Sequence, residues 1–326
     1  MRKYDRMTEV IKMKKNPYTH SHDNKRYYTI NHYFKTKYHH KVAKVPLHAG
    51  FTCPNRDGTK GIGGCTFCSG KGSGDSILDF DNSLSCQYET GLDRMRKKWP
   101  DCLGFAYFQS YSNTYADLDT LKKIYEPFYQ REDVLGICIA TRPDCLTLEI
   151  IDYFAKKAQE KETWIELGLQ SAHDQTIEKL NRLHTTQEVW DTLDQLSNTP
   201  ILTCVHIING LPGETKQDMI DTVKKLSQHP FDAIKIHMLH IIKDTTMAKQ
   251  YKKQPFYLLS LEDYVDVVVK QLEILPYDCI VERLTGDGLA KDLIAPLWTI
   301  KKTIVTNEID KKMAVLDTWQ GKKSKN

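Results

Sequence analysis

The sequence predicts an α/β fold in which a parallel sheet is covered by helices, built from strand–helix units repeated six times. Two observations predict it. From residue 44 onward, short apolar runs alternate with longer amphipathic ones, which is typical of alternating strands and helices. Polar segments such as QSYSNT, TRPD and NGLPGE follow the apolar runs. In a parallel barrel such strand ends form the functional rim, so we expect the site there.

The predicted strands are the seven apolar runs at residues 44–52, 104–108, 136–141, 164–170, 201–208, 233–240 and 278–283. Amphipathic stretches predict helices at 83–99, 117–130, 147–161, 174–197 (broken near Leu183), 215–228 and 260–275. A dinucleotide-binding sheet is a weaker alternative, because no GxGxxG motif follows a predicted strand at the start of a helix.

The fourth predicted strand has two chemically different faces. Its period of two separates a polar set from an aliphatic set: Glu166, Gly168 and Gln170 against Ile165, Leu167 and Leu169. This pattern fits polar side chains in a barrel lumen and aliphatic side chains against the covering helices.

Basic residues are concentrated at the front of the chain. The net charge is only +4, but residues 1–44 hold twelve Lys or Arg and three Asp or Glu, together with seven aromatic residues and five histidines. Cations interleaved with rings can contact phosphates and stack on bases. A solubilising tail packed on the main domain is an equally supported alternative. We divide the chain into a basic aromatic extension (1–43), a core (44–276) and a C-terminal extension that caps the barrel (277–326).

Export and membrane insertion are not expected from this sequence. No apolar run approaches the ~18 residues that span a bilayer, and the first sixteen residues lack the apolar stretch of a secretory signal. We therefore expect a cytoplasmic protein without a membrane partner, in which the nine cysteines are thiols or metal ligands.

Three cysteines, Cys53, Cys65 and Cys68, fall within sixteen residues directly after the first predicted strand. Four glycines let this loop wrap closely: Gly58, Gly61, Gly63 and Gly64. A structural zinc needs four protein ligands, and His48 or His206 could supply the fourth. An iron–sulfur cubane held by three cysteines leaves one iron open for a small molecule. The cysteines alone leave both sites open and favour the cluster.

The joint motifs resemble the radical S-adenosylmethionine enzymes, in the branch of the elongator catalytic subunit and the oxygen-independent coproporphyrinogen oxidases. The resemblance rests on the cysteine triad, on GLQS (168–171) and on NGLPGET (209–215). The first gap of the triad is eleven residues, where the superfamily commonly has three, and long gaps occur in the elongator-like branch. TRPD (141–144), LNRLHT (180–185) and RLTGDG (283–288) narrow the resemblance to the group called MnmL or YtqA, which acts on the wobble uridine of tRNA.

The resemblance implies a partial (β/α)6 TIM-like barrel of the radical S-adenosylmethionine type. Cys53, Cys65 and Cys68 would hold a 4Fe-4S cluster, whose open iron would chelate S-adenosylmethionine. The expected cofactor-binding residues are Phe67, Gln109, Glu166, Gln170, Ser171, Arg182, Asn209, Gly210, Pro212 and Leu239. The branch-typical GGE motif after the second strand is absent, so Gln109 or Ser110 is only a candidate for its role.

Other polar residues at strand ends are candidates for catalysis or substrate contact: Arg142, Asp144, His206, His237, Arg283 and Asp287. Arg142 and Asp144 flank Pro143, and an ion pair that locks this loop is an equal alternative. We expect His240 on the face opposite His237, in packing or at the surface.

By resemblance, the protein is an enzyme that uses a 5′-deoxyadenosyl radical on the side chain of the wobble uridine. The expected conversion takes 5-carboxymethylaminomethyl-(2-thio)uridine to the 5-aminomethyl form. The expected partners are tRNA and an electron donor such as flavodoxin or ferredoxin. Two alternatives stay open: a radical enzyme with a small-molecule substrate, as in the coproporphyrinogen branch, and a zinc-containing RNA-binding protein.

Overall fold

Seven parallel strands form the central sheet of the protein. The computed structural model describes residues 16–324, apart from 22–23, 73, 75–76, 78–80 and 287–289. The strands are β1 (Val42–Leu47), β2 (Leu103–Phe108), β3 (Val134–Thr141), β4 (Glu162–Gln170), β5 (Leu202–Asn209), β6 (Ala233–Met238) and β8 (Ile280–Arg283). They lie side by side in chain order, and the sheet curls into a half-barrel. A separate antiparallel pair joins β7 (Ile241–Ile242) to β9 (Leu293–Ala295).

Helices connect and cover the strands, as expected for a parallel sheet. They are α1 (Ile30–Tyr38), α2 (Leu84–Arg96), α3 (Leu118–Gln130), α4 (Leu148–Ala158), α5 (Asp174–Lys179), α6 (Thr186–Leu196), α7 (Lys216–Leu226), α8 (Thr246–Lys253), α9 (Leu261–Ile274) and α10 (Lys302–Val315). The predicted α/β partial barrel is confirmed. The run 278–283, assigned to the C-terminal extension, supplies β8, a seventh strand beside β6. Within the described ranges, no helix has the length and apolar character needed to cross a bilayer.

The predicted helix break near Leu183 is confirmed. Helix α5 ends at Lys179, and the backbone turns through positive φ at Asn181 (55°) and Leu183 (55°). Helix α6 then begins from a capping box, in which the Thr185 side chain accepts from the amide of Glu188. The break creates a loop at the rim of the sheet.

The two faces of β4 are used as predicted. Ile165, Leu167 and Leu169 are fully buried in the main hydrophobic core beneath the helices. Glu166, Gly168 and Gln170 face the concave side of the sheet. The register shifts by one residue between Gly168 and Gln170, and Gln170 has a positive φ of 67°. Such irregularities re-aim side chains beside functional sites.

Helix α1 covers the open seam between β1 and β8. Thr29 bridges to Val281 of β8, and the backbone amide of Val281 donates to the carbonyl of Tyr28 at 2.7 Å. Phe34 of α1 is buried, with its ring 5.1 Å from that of Phe105. This helix, together with α8 and α10, is absent from the sequence-based prediction.

The two ends of the described chain are fastened to each other through Gln320. Its backbone amide donates to the carbonyl of Arg26 at 2.9 Å, and its side-chain oxygen accepts from the amide of Tyr28 at 2.9 Å. Its side-chain nitrogen donates to the carbonyl of Cys279 at 2.7 Å, just before β8. Gln320 therefore ties the segment before α1 to the last strand of the sheet.

The described part of the basic aromatic extension packs on the main domain. Tyr18, Tyr27 and Phe34 are buried, while Lys25 pairs with Asp310, and Arg26 pairs with Asp317 at 3.1 Å. These residues therefore pack on the main domain, and the contact of the extension with tRNA stays a prediction. Residues 1–15 lie outside the described ranges.

Candidate functional site

A cavity of about 260 Å³ opens on the concave face, at the carboxyl ends of the strands. Its walls come from the cysteine loop, the loop after α5 and the ends of β2 to β6 and β8. It brings together thirteen of the candidate residues: Cys53, Cys65, Phe67, Cys68, Gln109, Arg142, Glu166, Gln170, Arg182, His206, His237, Leu239 and Arg283. The expectation of one polar rim is therefore confirmed.

Local hydrogen bonds fold the cysteine loop into consecutive turns. The amides of Arg56 and Cys68 donate to the carbonyls of Cys53 (2.8 Å) and Cys65 (3.0 Å). Three of the four glycines have positive φ, and a side chain on Gly64 would stand 2.7 Å from the Arg56 guanidinium. The loop glycines therefore permit the close wrapping that the sequence predicted.

The loop that carries Arg182 is fastened to the cysteine loop. The Asn181 side chain donates to the carbonyl of Gly64 at 2.9 Å, and the amide of Thr66 donates to the carbonyl of Leu180 at 3.0 Å. Asn55 reaches back to the carbonyl of Asn181. These contacts hold Arg182 against the cysteines.

Arg182 lies between Cys65 and the end of β4. One terminal nitrogen is 3.6 Å from the Cys65 sulfur, and the other donates to the carbonyl of Gly168. A side chain on Gly168 would stand 2.6 Å from the Gln170 amide and 2.9 Å from Arg182. A larger residue at this position would therefore displace the ends of these two side chains.

The donor set fits a ligand larger than a single ion. In the part of the chain that the structure describes, no three His, Cys, Asp or Glu side chains are grouped as one metal ion requires. Three cysteines nevertheless line one cavity, and Arg182 beside them has a buried Nε without a hydrogen-bond partner. His206, a candidate fourth zinc ligand, is held by Glu166 at 2.8 Å. The residues present fit an iron–sulfur cluster with an anionic co-ligand better than zinc.

A buried charge network forms the floor of the cavity. Glu166 accepts from Lys44 (3.0 Å), Lys235 (2.5 Å) and His206 (2.8 Å). Glu282 accepts from Lys44 at 2.5 Å and lies 3.4 Å from Lys235. Four side chains from β1, β4, β6 and β8 thus compensate one another's charge, as burial in a protein interior requires.

The network sets the protonation of its members. Burial raises the pKa of Glu166, but Lys235, Lys44 and His206 lower it, and the result is well below the usual range. Burial and Lys235 lower the pKa of His206, although Glu166 raises it. Glu166 is therefore a stable carboxylate, and His206 is neutral at pH 7.

Four predicted cofactor-binding residues lie away from the main cavity. Ser171 donates to the Glu214 carboxylate. The Asn209 amide exchanges two hydrogen bonds with Gln271, at 2.8 and 2.9 Å. Asn209 and Gly210 line a separate small cavity, and Pro212 contributes to neither set of walls. Their cofactor roles stay predictions, since the described contacts are structural.

Of the candidate substrate residues, Asp144 forms the loop-locking ion pair. Its carboxylate accepts hydrogen bonds from two guanidinium nitrogens of Arg142, at 2.9 and 2.8 Å, and forms an ion pair with Lys60 at 2.8 Å. Arg142 still lines the cavity and keeps one buried terminal nitrogen without a partner. Asp287 lies outside the described residues.

Lys235 belongs to the site although no sequence motif singled it out. It lines the cavity beside Tyr107 and donates to the phenol at 3.2 Å. His240, expected at the surface or in packing, also lines the cavity, because β6 ends at Met238 and the strand alternation stops there. Lysines spaced within apolar strands were a signal of a charged lumen, but their acidic partners are distant in sequence.

Comparisons with known proteins agree with this geometry. A family model described as the Radical SAM superfamily matches residues 53–226, and one described as the Radical SAM C-terminal domain matches residues 231–315. The chain is 43% identical over 310 residues to the Bacillus subtilis (strain 168) protein YtqA, covering 95% of this chain and 96% of the relative.

More distant similarity extends to proteins named for tRNA chemistry. The chain is 23% identical over 175 residues to the tRNA uridine(34) acetyltransferase of Methanocaldococcus jannaschii, covering 53% of this chain and 31% of the relative. The structure of Methanocaldococcus infernus Elp3 with an N-terminal deletion superposes with a TM-score of 0.64 at 16% identity. It covers 84% of this chain and 63% of the other, and this likeness shows the fold alone.

Proposed function

Because the chain belongs to the Radical SAM superfamily, we propose that it is a tRNA-modifying enzyme that acts on the side chain of the wobble uridine. The observation that carries the proposal is the single cavity in which three cysteines meet Arg182, Gln170 and a cationic wall at β6 and β8. Support for a tRNA substrate comes from the distant relative named as a tRNA uridine(34) acetyltransferase.

Cys53, Cys65 and Cys68 would hold a 4Fe-4S cluster, and S-adenosylmethionine would lie beside it. When bound, these cofactors supply one-electron cleavage and a radical that removes hydrogen from an unactivated carbon. Arg182 would pair with the carboxylate of S-adenosylmethionine, which suits its unpartnered Nε and planar fork. Gln170 would donate to the same molecule from the end of β4.

The protein's own residues position the substrate and limit its protonation. Glu166 and Lys235 form a buried ion pair that keeps the cavity floor fixed. The lowered pKa of Glu166 keeps its carboxylate ionised near pH 7. Tyr107 donates or accepts at the wall, and burial raises its pKa well above the usual range, so it remains a neutral phenol. The wobble base would enter from the strand ends, flipped from its stack.

In the proposed conversion, hydrogen would be removed from the carbon beside the carboxylate of 5-carboxymethylaminomethyl-(2-thio)uridine, one electron would pass to the electron-transfer partner, and water would hydrolyse the resulting imine. The carboxymethyl group would leave as glyoxylate, and the 5-aminomethyl form would remain. Mass spectrometry of nucleosides from a deletion strain tests it. We expect the carboxymethylaminomethyl nucleoside to accumulate and the aminomethyl nucleoside to disappear. The wild-type gene should restore both pools, and a Cys68→Ala variant should not. Unchanged pools in the deletion strain would reject this assignment.

An assay in vitro separates the proposal from its alternatives. After anaerobic reconstitution with iron and sulfide, cleavage of S-adenosylmethionine to 5′-deoxyadenosine is measured with tRNA from the deletion strain and with a metabolite extract. Stimulation by tRNA supports the proposal, whereas stimulation by the extract alone favours a small-molecule substrate. A colourless anaerobic preparation that contains zinc and no iron would favour the RNA-binding alternative.

A further inference from the structure

Two strand ends place three nitrogen-bearing side chains together in the cavity wall. His237 is the last residue but one of β6, His240 follows that strand, and Arg283 ends β8. The Nε2 atoms of His237 and His240 are buried and have no hydrogen-bond partner among the described residues. A buried polar atom without a partner destabilises the folded protein. A ligand with hydrogen-bonding oxygens would remove that cost.

The electrostatic surroundings of these groups are cationic. Burial, Arg283, His206 and Lys235 all lower the pKa of His237, to well below its usual range. These groups therefore favour the neutral form of the ring. An anion placed beside His237 would instead raise the pKa of this ring.

The pKa values of two neighbouring groups, His240 and Lys302, are also lowered. Burial and Lys302 lower the pKa of His240 to about 4. Burial and Arg283 lower the pKa of Lys302. The acids of the cavity floor, Glu166 and Glu282, hold Lys44 and Lys235.

The pairing of β6 with β8 places this cluster at one point of the sheet. The register between β6 and β8 shifts by one residue, so that Lys235 pairs with Arg283 rather than Glu282. This shift lets Glu282 bond Lys44 while its neighbour Arg283 still reaches the cavity.

The turn at Gly286 packs against this cluster. A side chain on Gly286 would stand 2.8 Å from the His240 ring. The amide of Gly286 lies 2.8 Å from the Met238 sulfur. The turn after β8 therefore packs directly on the end of β6, and any larger residue at 286 would push His240 from its place.

We propose that Arg283, His237 and His240, here called the β6–β8 anion pocket, bind the carboxylate of the substrate side chain. This inference rests on the proposed function, in which a carboxymethylaminomethyl group is the substrate. The planar guanidinium of Arg283 matches a carboxylate bidentately, and the histidines donate from their neutral rings. The aminomethyl product has lost the carboxylate and carries an ammonium group, so the pocket also disfavours the product.

Binding of two anticodon stem-loops tests this pocket. One stem-loop carries 5-carboxymethylaminomethyluridine at the wobble position and the other carries 5-aminomethyluridine, and the dissociation constant of each is measured with the reconstituted protein. We expect the wild type to prefer the acidic stem-loop by at least about 10-fold, the worth of one charge-assisted hydrogen-bond pair. Arg283→Gln should remove most of this preference, and Arg283→Lys should keep part of it.

A matched control and a second variant secure the result. Arg94→Gln removes the same charge from an exposed position on α2 and should leave the preference unchanged. If Arg283→Gln melts at a lower temperature than wild type, His237→Asn carries the test. A folded Arg283→Gln or His237→Asn variant with the full preference overturns the proposal.

Other outcomes separate the pocket from its alternatives. An equal loss of affinity for both stem-loops in Arg283→Gln would assign the anion to a nucleotide phosphate and overturn the carboxylate assignment. Discrimination without conversion of the acidic stem-loop would support the pocket and contradict the proposed reaction. Conversion with unaltered discrimination in the variants would contradict the pocket alone.

Discussion

At the scale of single residues, Glu166 balances the charge of the barrel floor. We expect Glu166→Gln to lower the free energy of unfolding by about 3–5 kcal/mol, because Lys44 and Lys235 are then left with only Glu282. Urea unfolding at pH 7 measures the change. Glu149→Gln, exposed on α4, should change stability by less than about 0.5 kcal/mol. Equal losses in the two variants would contradict the described network.

His240 gives the protein a specific pH dependence. Its pKa is about 4 in the folded protein and about 6.5 in an unfolded chain. As the pH falls from about 6.5 to 4, only the unfolded chain takes up this proton, so the free energy of unfolding decreases. Between pH 7 and 5 the contribution is on the order of 1–2 kcal/mol.

The variant His240→Gln isolates this contribution. Urea unfolding of the wild type and the variant at pH 7 and pH 5 gives the loss of stability in each. The variant should lose less, by the amount given above. An identical pH slope in both proteins would show that folding does not lower the pKa of His240.

The cysteines differ in what their removal should do. After anaerobic reconstitution, wild type should contain about four iron atoms per chain, and Cys68→Ala should lose most of them. Cys145→Ala is the matched control, since Cys145 is buried beside Asp144 and outside the cavity walls. It should keep its iron. Full iron content in Cys68→Ala would show that Cys68 is not a ligand of the cluster.

Residues of the site could be predicted from the sequence where they belong to a short continuous motif. The triad and Gln170 stand in short motifs, and the structure gathers them in one cavity. The partnership of Lys44 with Glu166 was not predictable, because 122 residues separate them. Only the closure of the sheet brings such charges together.

At the scale of elements, α1 is a structural part of the barrel. Phe34→Ala should lower the free energy of unfolding by about 3–5 kcal/mol, because it empties a buried aromatic site against Phe105. Lys35→Ala, exposed on the same helix, should stay within about 0.5 kcal/mol of the wild type. Urea unfolding compares the two. A small loss in Phe34→Ala would mean that α1 is not needed to cover the seam.

Element boundaries were less predictable than element types. The first apolar run predicted a strand to residue 52, yet β1 ends at Leu47, where its partner β2 ends at Phe108. Hydrogen bonding to a neighbour decides where a strand stops, and a single run does not contain that information. Helix α1 was missed for a similar reason, because its aromatic residues have modest helix propensity and tertiary packing stabilises it.

At the scale of the whole molecule, the remaining basic excess lies in residues 1–15, which hold six basic and two acidic residues. Deleting them should weaken tRNA binding and lower the slope of log affinity against log salt by about 1–3. Filter binding between 50 and 200 mM salt, about the range where such losses are large, measures this.

The extent of the deletion decides what this experiment tests. Deleting as far as residue 40 would also remove α1 and expose the seam, so residue 15 is the appropriate limit. The shortened protein should keep its iron content. Equal tRNA affinity and equal salt slope would show that the front of the chain does not contact tRNA.

The fastening of Gln320 to Arg26, Tyr28 and Cys279 has a consequence for how the protein is made. During translation the cysteine loop leaves the ribosome long before residue 320 does. The half-barrel is therefore sealed at its seam only after residue 320 has been synthesised. Until then the three thiols of the cysteine loop stand beside an unfinished wall, where solutes reach them more easily than in the closed half-barrel.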